Sequence, residues 1–231
     1  MGTLRVCALE AERGSNGEEV QFQSFARWTF KGGHVSPIHS NFRRMVPHGK
    51  RQDCFAFLEE GLRSIRQTPY HAIVGQTYLH HVVDAARYIA DSHRAASEKF
   101  PVAVMYFEMN GFSINPDRWY FDGFAYRTGG DIWDLTFHAD WLSGWDAATD
   151  ASFNLTGLEK VQKAFESLFG TDPPQPLSPE LAAEITEHLV VARFDELIAA
   201  ATAAARQLRP ELMGVPVFST AHERDALYAI E

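Results

Sequence analysis

Three consecutive segments rich in apolar and aromatic residues constrain the fold of this chain more than any other feature. They span 101–109, 119–127 and 131–141. Each segment has the length and the composition that are typical of a β-strand. Thr128-Gly129-Gly130 supplies glycine-rich turn chemistry between the second segment and the third. The pattern therefore predicts a three-strand antiparallel meander in which 101–109 is an interior strand.

The second of these segments has two chemically different faces. Successive side chains of a strand point to opposite faces, so Trp119, Phe121 and Ala125 share one face and Asp122 lies on the other. We expect the face that carries Phe121 to enter the core and the opposite face to stay partly exposed.

The first thirty residues predict a β-hairpin. Segments 4–8 and 20–30 are typical of strands, and Asn16-Gly17 between them is a strong signal for a tight hairpin turn. Residues 31–50 show no period and are interrupted by glycines and prolines. Such a stretch predicts a long loop.

Apolar residues at helical spacing predict helices over 53–65, 75–98 and 156–169, the first of them capped by Asp53. A longer helix over 178–208 begins with Ser178-Pro179-Glu180, a capping serine followed by proline at the first helical position. Its alanine-rich part is too apolar for an exposed surface, which indicates close packing.

Together these elements predict one α+β domain over 1–231. We expect an antiparallel sheet, made of the N-terminal hairpin and the three-strand meander, with helices packed on one side and the long C-terminal helix bracing it. The proline-rich connector 171–177 is a possible sub-boundary. Residues 215–218 are expected to add a short edge segment.

Composition limits the environment of the protein. No run of about 18 apolar residues occurs, so no membrane-spanning helix is expected. Cys7 and Cys54 are too few for a disulfide-stabilised secreted scaffold. The formal net charge of −9 argues against direct binding to nucleic acid. We expect a cytoplasmic protein without a cofactor.

Charge is distributed unevenly along the chain. Residues 20–52 contain six basic residues and no acidic one. Residues 101–159 contain nine acidic residues against two arginines, a net charge of −7. Either the two segments pair inside the fold, or the acidic one meets a basic partner, because aromatic residues anchor interfaces and carboxylates steer encounter. The predicted partner-binding residues are Asp117, Trp119, Asp122, Asp131, Trp141, Trp145 and Asp146.

The third meander strand contains a possible metal site. Strand alternation places Asp134, His138 and Asp140 on one face, and carboxylates with an imidazole can bind a hard metal. The cysteine and histidine pairs that zinc sites use are missing. We therefore favour a solvent-facing polar face without metal.

Helical histidines and nucleophile motifs give weaker signals. His80 and His81 are adjacent and point about 100° apart around a helix, so an ion-paired solvated face with Asp84 is favoured over a metal site. Neither a Gly-x-Ser-x-Gly elbow nor a lysine-containing phosphate loop occurs. Catalysis therefore has no clear sequence signature.

Residues 106–112 and 114–126, followed by 141–146 and 155–159, resemble small cytoplasmic bacterial immunity proteins of polymorphic toxin systems. The resemblance is confined to 106–159. Those families have no invariant catalytic signature. The resemblance implies a stoichiometric inhibitor that binds a toxin and covers its active site.

These observations lead to a prediction of a non-enzymatic, acidic protein-binding module, an immunity protein against a basic toxin such as a nuclease. The alternative is a metal-dependent hydrolase that uses the Asp/His/Asp strand face. A third interpretation is a homodimer subunit in which the alanine-rich helix forms the contact.

Overall fold

The computed structural model describes residues 51–112, 115, 117–128, 152–167, 177–222 and 228–230. Four α-helices are present in this part of the chain: α1 Arg51–Arg63, α2 Val82–Ser97, α3 Glu159–Glu166 and α4 Leu177–Leu208. Short 3₁₀ turns occur at Pro69–Ile73, Leu79–His81 and Pro210–Leu212. All described residues belong to one unit within Asn41–Glu231, whereas the predicted domain over 1–231 extends beyond them.

The helix boundaries follow local backbone chemistry. The long C-terminal helix is confirmed as Leu177–Leu208, one residue from the predicted start. α2 begins at Val82 rather than at 75, because Gly75 has a φ of +73° and interrupts a helix there. α3 begins after Gly157, whose φ is +95°. α1 begins at Arg51, so Asp53 lies inside the helix and is not its cap.

Five strands form one sheet in the order β3-β2-β1-β4-β5. Their bounds are β1 Val104–Asn110, β2 Tyr120–Tyr126, β3 Phe153–Asn154, β4 Val217–Ala221 and β5 Tyr228–Ile230. β1 is antiparallel to β2, with Glu108 opposite Asp122. β1 is parallel to β4, with Met105 opposite Val217.

The expectation of a purely antiparallel sheet is therefore wrong. A parallel partner requires a long crossover, and the chain passes through β3, α3 and α4 before it reaches β4. The predicted edge segment 215–218 contributes instead to an interior strand, since β5 pairs with the outer side of β4. The N-terminal hairpin (4–8 and 20–30), the third meander strand 131–141 and most of the connector 171–177 lie outside the described residues.

The sheet face toward α2 and α4 forms an apolar core. Phe107 and Phe121 are fully buried, and the ring of Tyr88 on α2 lies 6.5 Å and 5.2 Å from them. Phe194 on α4 lies 5.3 Å from Phe121, between ring centroids. A Cβ atom on Gly123 would lie 2.8 Å from the Phe107 ring, so this position of β2 requires glycine. The prediction that the Phe121 face enters the core is confirmed.

Helices α2 and α4 pack along each other. Ala85 and Ala86 on α2, and Ala201 and Ala205 on α4, are all buried. Small side chains let helix backbones approach closely. Ala201 and Ala205 of the alanine-rich part of α4 are therefore buried within the chain, whereas Ala203 is exposed.

The solvent face of α2 carries two exposed ion pairs. Arg87 donates to Asp84 at 3.3 Å and Arg94 donates to Asp91 at 2.8 Å. Each pair joins residues one helical turn apart, as the charge spacing predicted. The expectation of an ion-paired helix face is confirmed for Asp84 and Arg87, whereas His81 bonds Thr156 instead.

A partly buried ion network joins α1 to α4. The side chain of Arg193 is 12% exposed, and it donates to Glu196 at 3.0 Å and to Glu59 at 3.3 Å. Its guanidinium lies 3.7 Å from the ring centre of Phe55. Glu59 also accepts the backbone N–H of Gly75 at 2.9 Å. One arginine therefore fixes both helices and the turn between α1 and α2.

Candidate interaction surface on strands β1 and β2

The sheet face opposite α2 and α4 brings two carboxylates together. Glu108 of β1 and Asp122 of β2 are cross-strand partners, and Thr220 of β4 lies beside Glu108 on the other side. Directly opposed residues have Cβ atoms about 4.5–5.5 Å apart. We call Glu108 and Asp122 the carboxylate pair. Both side chains are half-buried.

Aromatic residues surround the carboxylate pair on this face. Val104, Tyr106, Tyr126 and Phe218 form a buried cluster, and Phe124 packs against it. The ring centroids of Tyr106 and Phe124 are 5.7 Å apart. The pair therefore stands at the border of an apolar aromatic surface, which reduces its contact with water.

Hydrogen bonds orient Glu108 on both oxygens. The Tyr106 hydroxyl donates to Oε2 at 2.6 Å, and Nδ1 of His222 lies 2.5 Å from Oε1. His222 directly follows β4, and its backbone N–H donates to the Met109 carbonyl at 2.9 Å. The side chain of His222 is 44% exposed, so the imidazole stands at the edge of the surface.

Asp122 is held less tightly. Nδ2 of Asn110 donates to its Oδ2 at 3.3 Å. Burial raises the pKa of Asp122, the Glu108 charge raises it further, and a hydrogen bond with Ser152 and the charge of Arg118 lower it. The net direction is upward because loss of solvent is the largest cause. Asp122 is thus a half-buried carboxylate whose cross-strand neighbour, Glu108, is also an acid.

The predicted binding residues divide into three groups. Asp117 is exposed, as an interface residue must be. Asp122 is half-buried and belongs to the carboxylate pair. Asp131, Trp141, Trp145 and Asp146 lie outside the described residues, and so do the alternative metal ligands Asp134, His138 and Asp140.

Trp119 is the residue for which the interface prediction is wrong. Its side chain is 2% exposed and packs against Phe112 and Phe165, at 5.2 Å and 5.8 Å between ring centroids. The indole lies in the core because it has the strand parity of Phe121. Trp119 therefore contributes to stability and has no surface available for a partner.

An exposed arginine stands beside Asp117. Arg118 donates through Nε to Oδ1 of Asn154 at 2.6 Å, and its guanidinium lies 4.6 Å from the ring centre of Tyr120. The surface next to β3 is therefore mixed in charge. The acidic character is concentrated at Asp117 and the carboxylate pair.

Sequence reasoning missed Tyr106, Asn110 and His222 as members of this site. A single glutamate between Phe107 and Met109 was a usable signal, since an acid in an apolar strand needs partners. His222 had no local signal, because parallel pairing of β4 brings it to β1. Within the described ranges, no group of three histidine, cysteine or acidic side chains could hold a metal ion.

Comparisons with protein-family models, curated proteins and solved structures found no match. Among the helices of the described residues, none has both the length and the apolar character of a bilayer-spanning segment.

Proposed function

We propose that this chain is a protein-binding module that engages a basic partner through acidic residues of 101–159, as an immunity protein engages a toxin. One observation supports the proposal. Within the described part of the chain, none of the acids of this segment forms an ion pair with lysine or arginine; these acids are Glu108, Asp117, Asp122 and Glu159.

Some acids elsewhere in the described residues have an arginine partner, and others, such as Glu60 and Glu98, do not. Glu59, Asp84, Asp91 and Glu196 each pair with an arginine of the chain. A carboxylate that forms no ion pair with lysine or arginine can attract a cation of a partner, and exposed charges accelerate the encounter with a basic protein. The alternative, in which the acidic segment pairs with the basic segment 20–52 inside the fold, stays a prediction, because residues 20–50 lie outside the described residues.

The aromatic border gives the proposed surface its second property. Tyrosine and phenylalanine supply rigid contact area at protein interfaces. Phe124 and Tyr120 are half-buried on the face of the carboxylate pair. A cationic side chain of the partner would lie between two carboxylates and pack its aliphatic part on these rings.

The test is a matched charge reversal. The chain is used to recover its partner from the native host, and association is measured at low and moderate salt. Asp117→Lys should slow association about tenfold or more at low salt, whereas Glu211→Lys, the same change at an exposed position of the Pro210–Leu212 turn, should have little effect. Added salt should reduce the difference, because the Debye length is about 10 Å at 0.1 M.

The immunity assignment has its own experiment. Cells that express the gene of the recovered basic partner should survive when the chain is co-expressed, and Asp117→Lys should reduce that protection. Recovery of no basic partner would contradict the binding module. Recovery of a partner without any protection would contradict immunity alone.

A further inference from the structure

His81 is bonded to the loop that follows β3. The backbone N–H of Thr156 donates to Nε2 of His81 at 3.1 Å, and the Thr156 hydroxyl lies at the same distance from this nitrogen. The carbonyl oxygen of Thr156 is slightly farther, at 3.3 Å. The shorter N–H contact requires a ring nitrogen that accepts, so the bonded form of His81 is the neutral imidazole.

His80 closes the other side of this contact. Its ring lies 4.1 Å from that of His81, between centroids. A Cβ atom on Gly157 would lie 2.8 Å from Cε1 of His80, so the ring sits directly on the loop backbone. The loop is fixed further by Glu159, which accepts the Gly157 N–H at 2.7 Å.

His81 also contacts β3. The His81 ring meets Phe153 edge-on at 5.4 Å, and Phe153 stacks on Phe121 at 4.8 Å. β3 has only two residues, and its pairing with β2 covers Tyr120 and Phe121. So short a strand depends on side-chain contacts for its position.

We propose that His80 and His81 form a proton-sensitive latch, which keeps β3 and the Thr156 loop docked at neutral pH and releases them in mildly acidic solution. Protonation puts a hydrogen on the nitrogen that accepts the Thr156 N–H. The protonated ring can donate to the Thr156 carbonyl, but the Thr156 N–H then loses its acceptor. Two protonated rings at 4.1 Å also repel each other.

The charged groups around His81 act in both directions. Burial lowers the pKa of His81 most, and the neighbouring His80 lowers it further. The hydrogen bond with the Thr156 carbonyl, Asp84 and Glu159 raise this pKa. The net direction is downward. A histidine with a lowered folded-state pKa stabilises the docked state above its ordinary value near 6.5, and this contribution is lost as the pH falls from there toward the folded-state pKa. The latch therefore opens toward acid.

Amide hydrogen exchange on the complete chain tests the latch. The backbone N–H of Leu155 donates to the Trp119 carbonyl at 2.9 Å and reports on docking of β3. Its protection factor should fall between about pH 7.5 and about pH 5. The fall should be about tenfold for each unit by which the folded-state pKa lies below the unfolded value. The N–H of Ala103, which donates to Tyr126 at the far end of the hairpin, serves as the internal reference.

Two variants separate the latch from a general effect of acid. Glutamine at position 81 can still accept the Thr156 N–H but cannot be protonated, so His81→Gln should keep Leu155 protected at about pH 5. His80→Gln should make the fall in protection smaller, because loss of the like charge raises the folded-state pKa of His81 toward its ordinary value. The latch is refuted if wild-type protection is unchanged relative to Ala103, or if His81→Gln shows the same fall as the wild type.

Discussion

At the residue scale, Phe121 is the side chain on which the sheet and the helices converge. It is fully buried, and its ring contacts Phe153 of β3, Tyr88 of α2 and Phe194 of α4, all within 5.3 Å between centroids. Three elements therefore share one ring. Loss of this ring removes contacts that no neighbouring side chain can replace.

Phe121→Ala should lower the free energy of unfolding by about 3–5 kcal/mol, the usual cost of a buried phenylalanine and the cavity that it leaves. Urea denaturation followed by circular dichroism measures the loss. Val83→Ala is the control, because Val83 is 61% exposed and should change the same quantity by no more than about 0.5 kcal/mol. A loss below about 1 kcal/mol for Phe121→Ala would show that β2 is not central.

Trp119 shows where residue-level prediction from sequence stops. Strand alternation placed Trp119 with Phe121 on the core face, while the charge pattern made it an interface residue. Both expectations could not hold. Trp119 is buried, because a large indole gains more free energy from packing on Phe112 and Phe165 than from staying exposed for a partner. The composition of a segment does not show which residues lie on which face of a strand, whereas the alternation of its side chains does.

At the element scale, Arg193 connects α1, α4 and the turn at Gly75. Arg193→Met keeps the apolar stem but removes the cation that Glu59 and Glu196 share, so Glu59 keeps only Arg63, at 2.7 Å. Since these carboxylates are about as buried as the arginine, the free energy of unfolding should fall by about 3–5 kcal/mol. Arg87→Met removes the exposed pair with Asp84 and should cost less than about 1 kcal/mol. Equal losses for the two variants would contradict this role of the network.

The elements that the sequence predicted well depend on local signals. The α4 helix has a continuous helical period, and β1 and β2 follow each other in the chain with nine residues between them. The position of β4 in the sheet depends on its pairing with β1 across a long crossover. A local sequence pattern cannot indicate a pairing partner so far away in the chain. Helix starts were missed where a single glycine, Gly75 or Gly157, adopts positive φ.

At the scale of the whole molecule, His93 should make stability depend on pH. Nδ1 of His93 accepts from Nε of Arg209 at 2.6 Å, which ties the end of α2 to the end of α4. Burial lowers the pKa of His93, Arg209 lowers it further, and Glu211 raises it. The folded state therefore binds fewer protons than the unfolded chain, and stability is lost as pH falls below about 6.5.

Urea unfolding at a series of pH values between about 7.5 and about 5 measures this dependence. His93→Asn retains an acceptor for Arg209 without a titratable group and should flatten the curve. His81→Gln should leave most of the global slope in place, because its effect is confined to β3. An unchanged slope in His93→Asn would contradict the assignment.

The candidate surface could be predicted only in part at this scale. The excess of acids in 101–159 predicted Asp117 and Asp122 as partner-binding residues, and this role stays a prediction. Tyr106 lies two residues before Glu108 on the same strand face, so the period could have indicated it. His222 could not be anticipated, because it reaches Glu108 through the parallel pairing of β4. Charge counts predict which segment is acidic, but the sheet topology determines which acidic side chains lie next to each other.

The position of β4 also has a consequence during synthesis. The ribosome delivers β1 and β2 well before Val217–Ala221, so one edge of β1 has no β4 to pair with until that strand emerges. At about 5–20 residues per second this interval lasts on the order of ten seconds. During it, the apolar edge of Val104–Asn110 is a template for strands of other nascent chains. A polypeptide released before β4 would therefore aggregate or need a chaperone, even though its hairpin is complete.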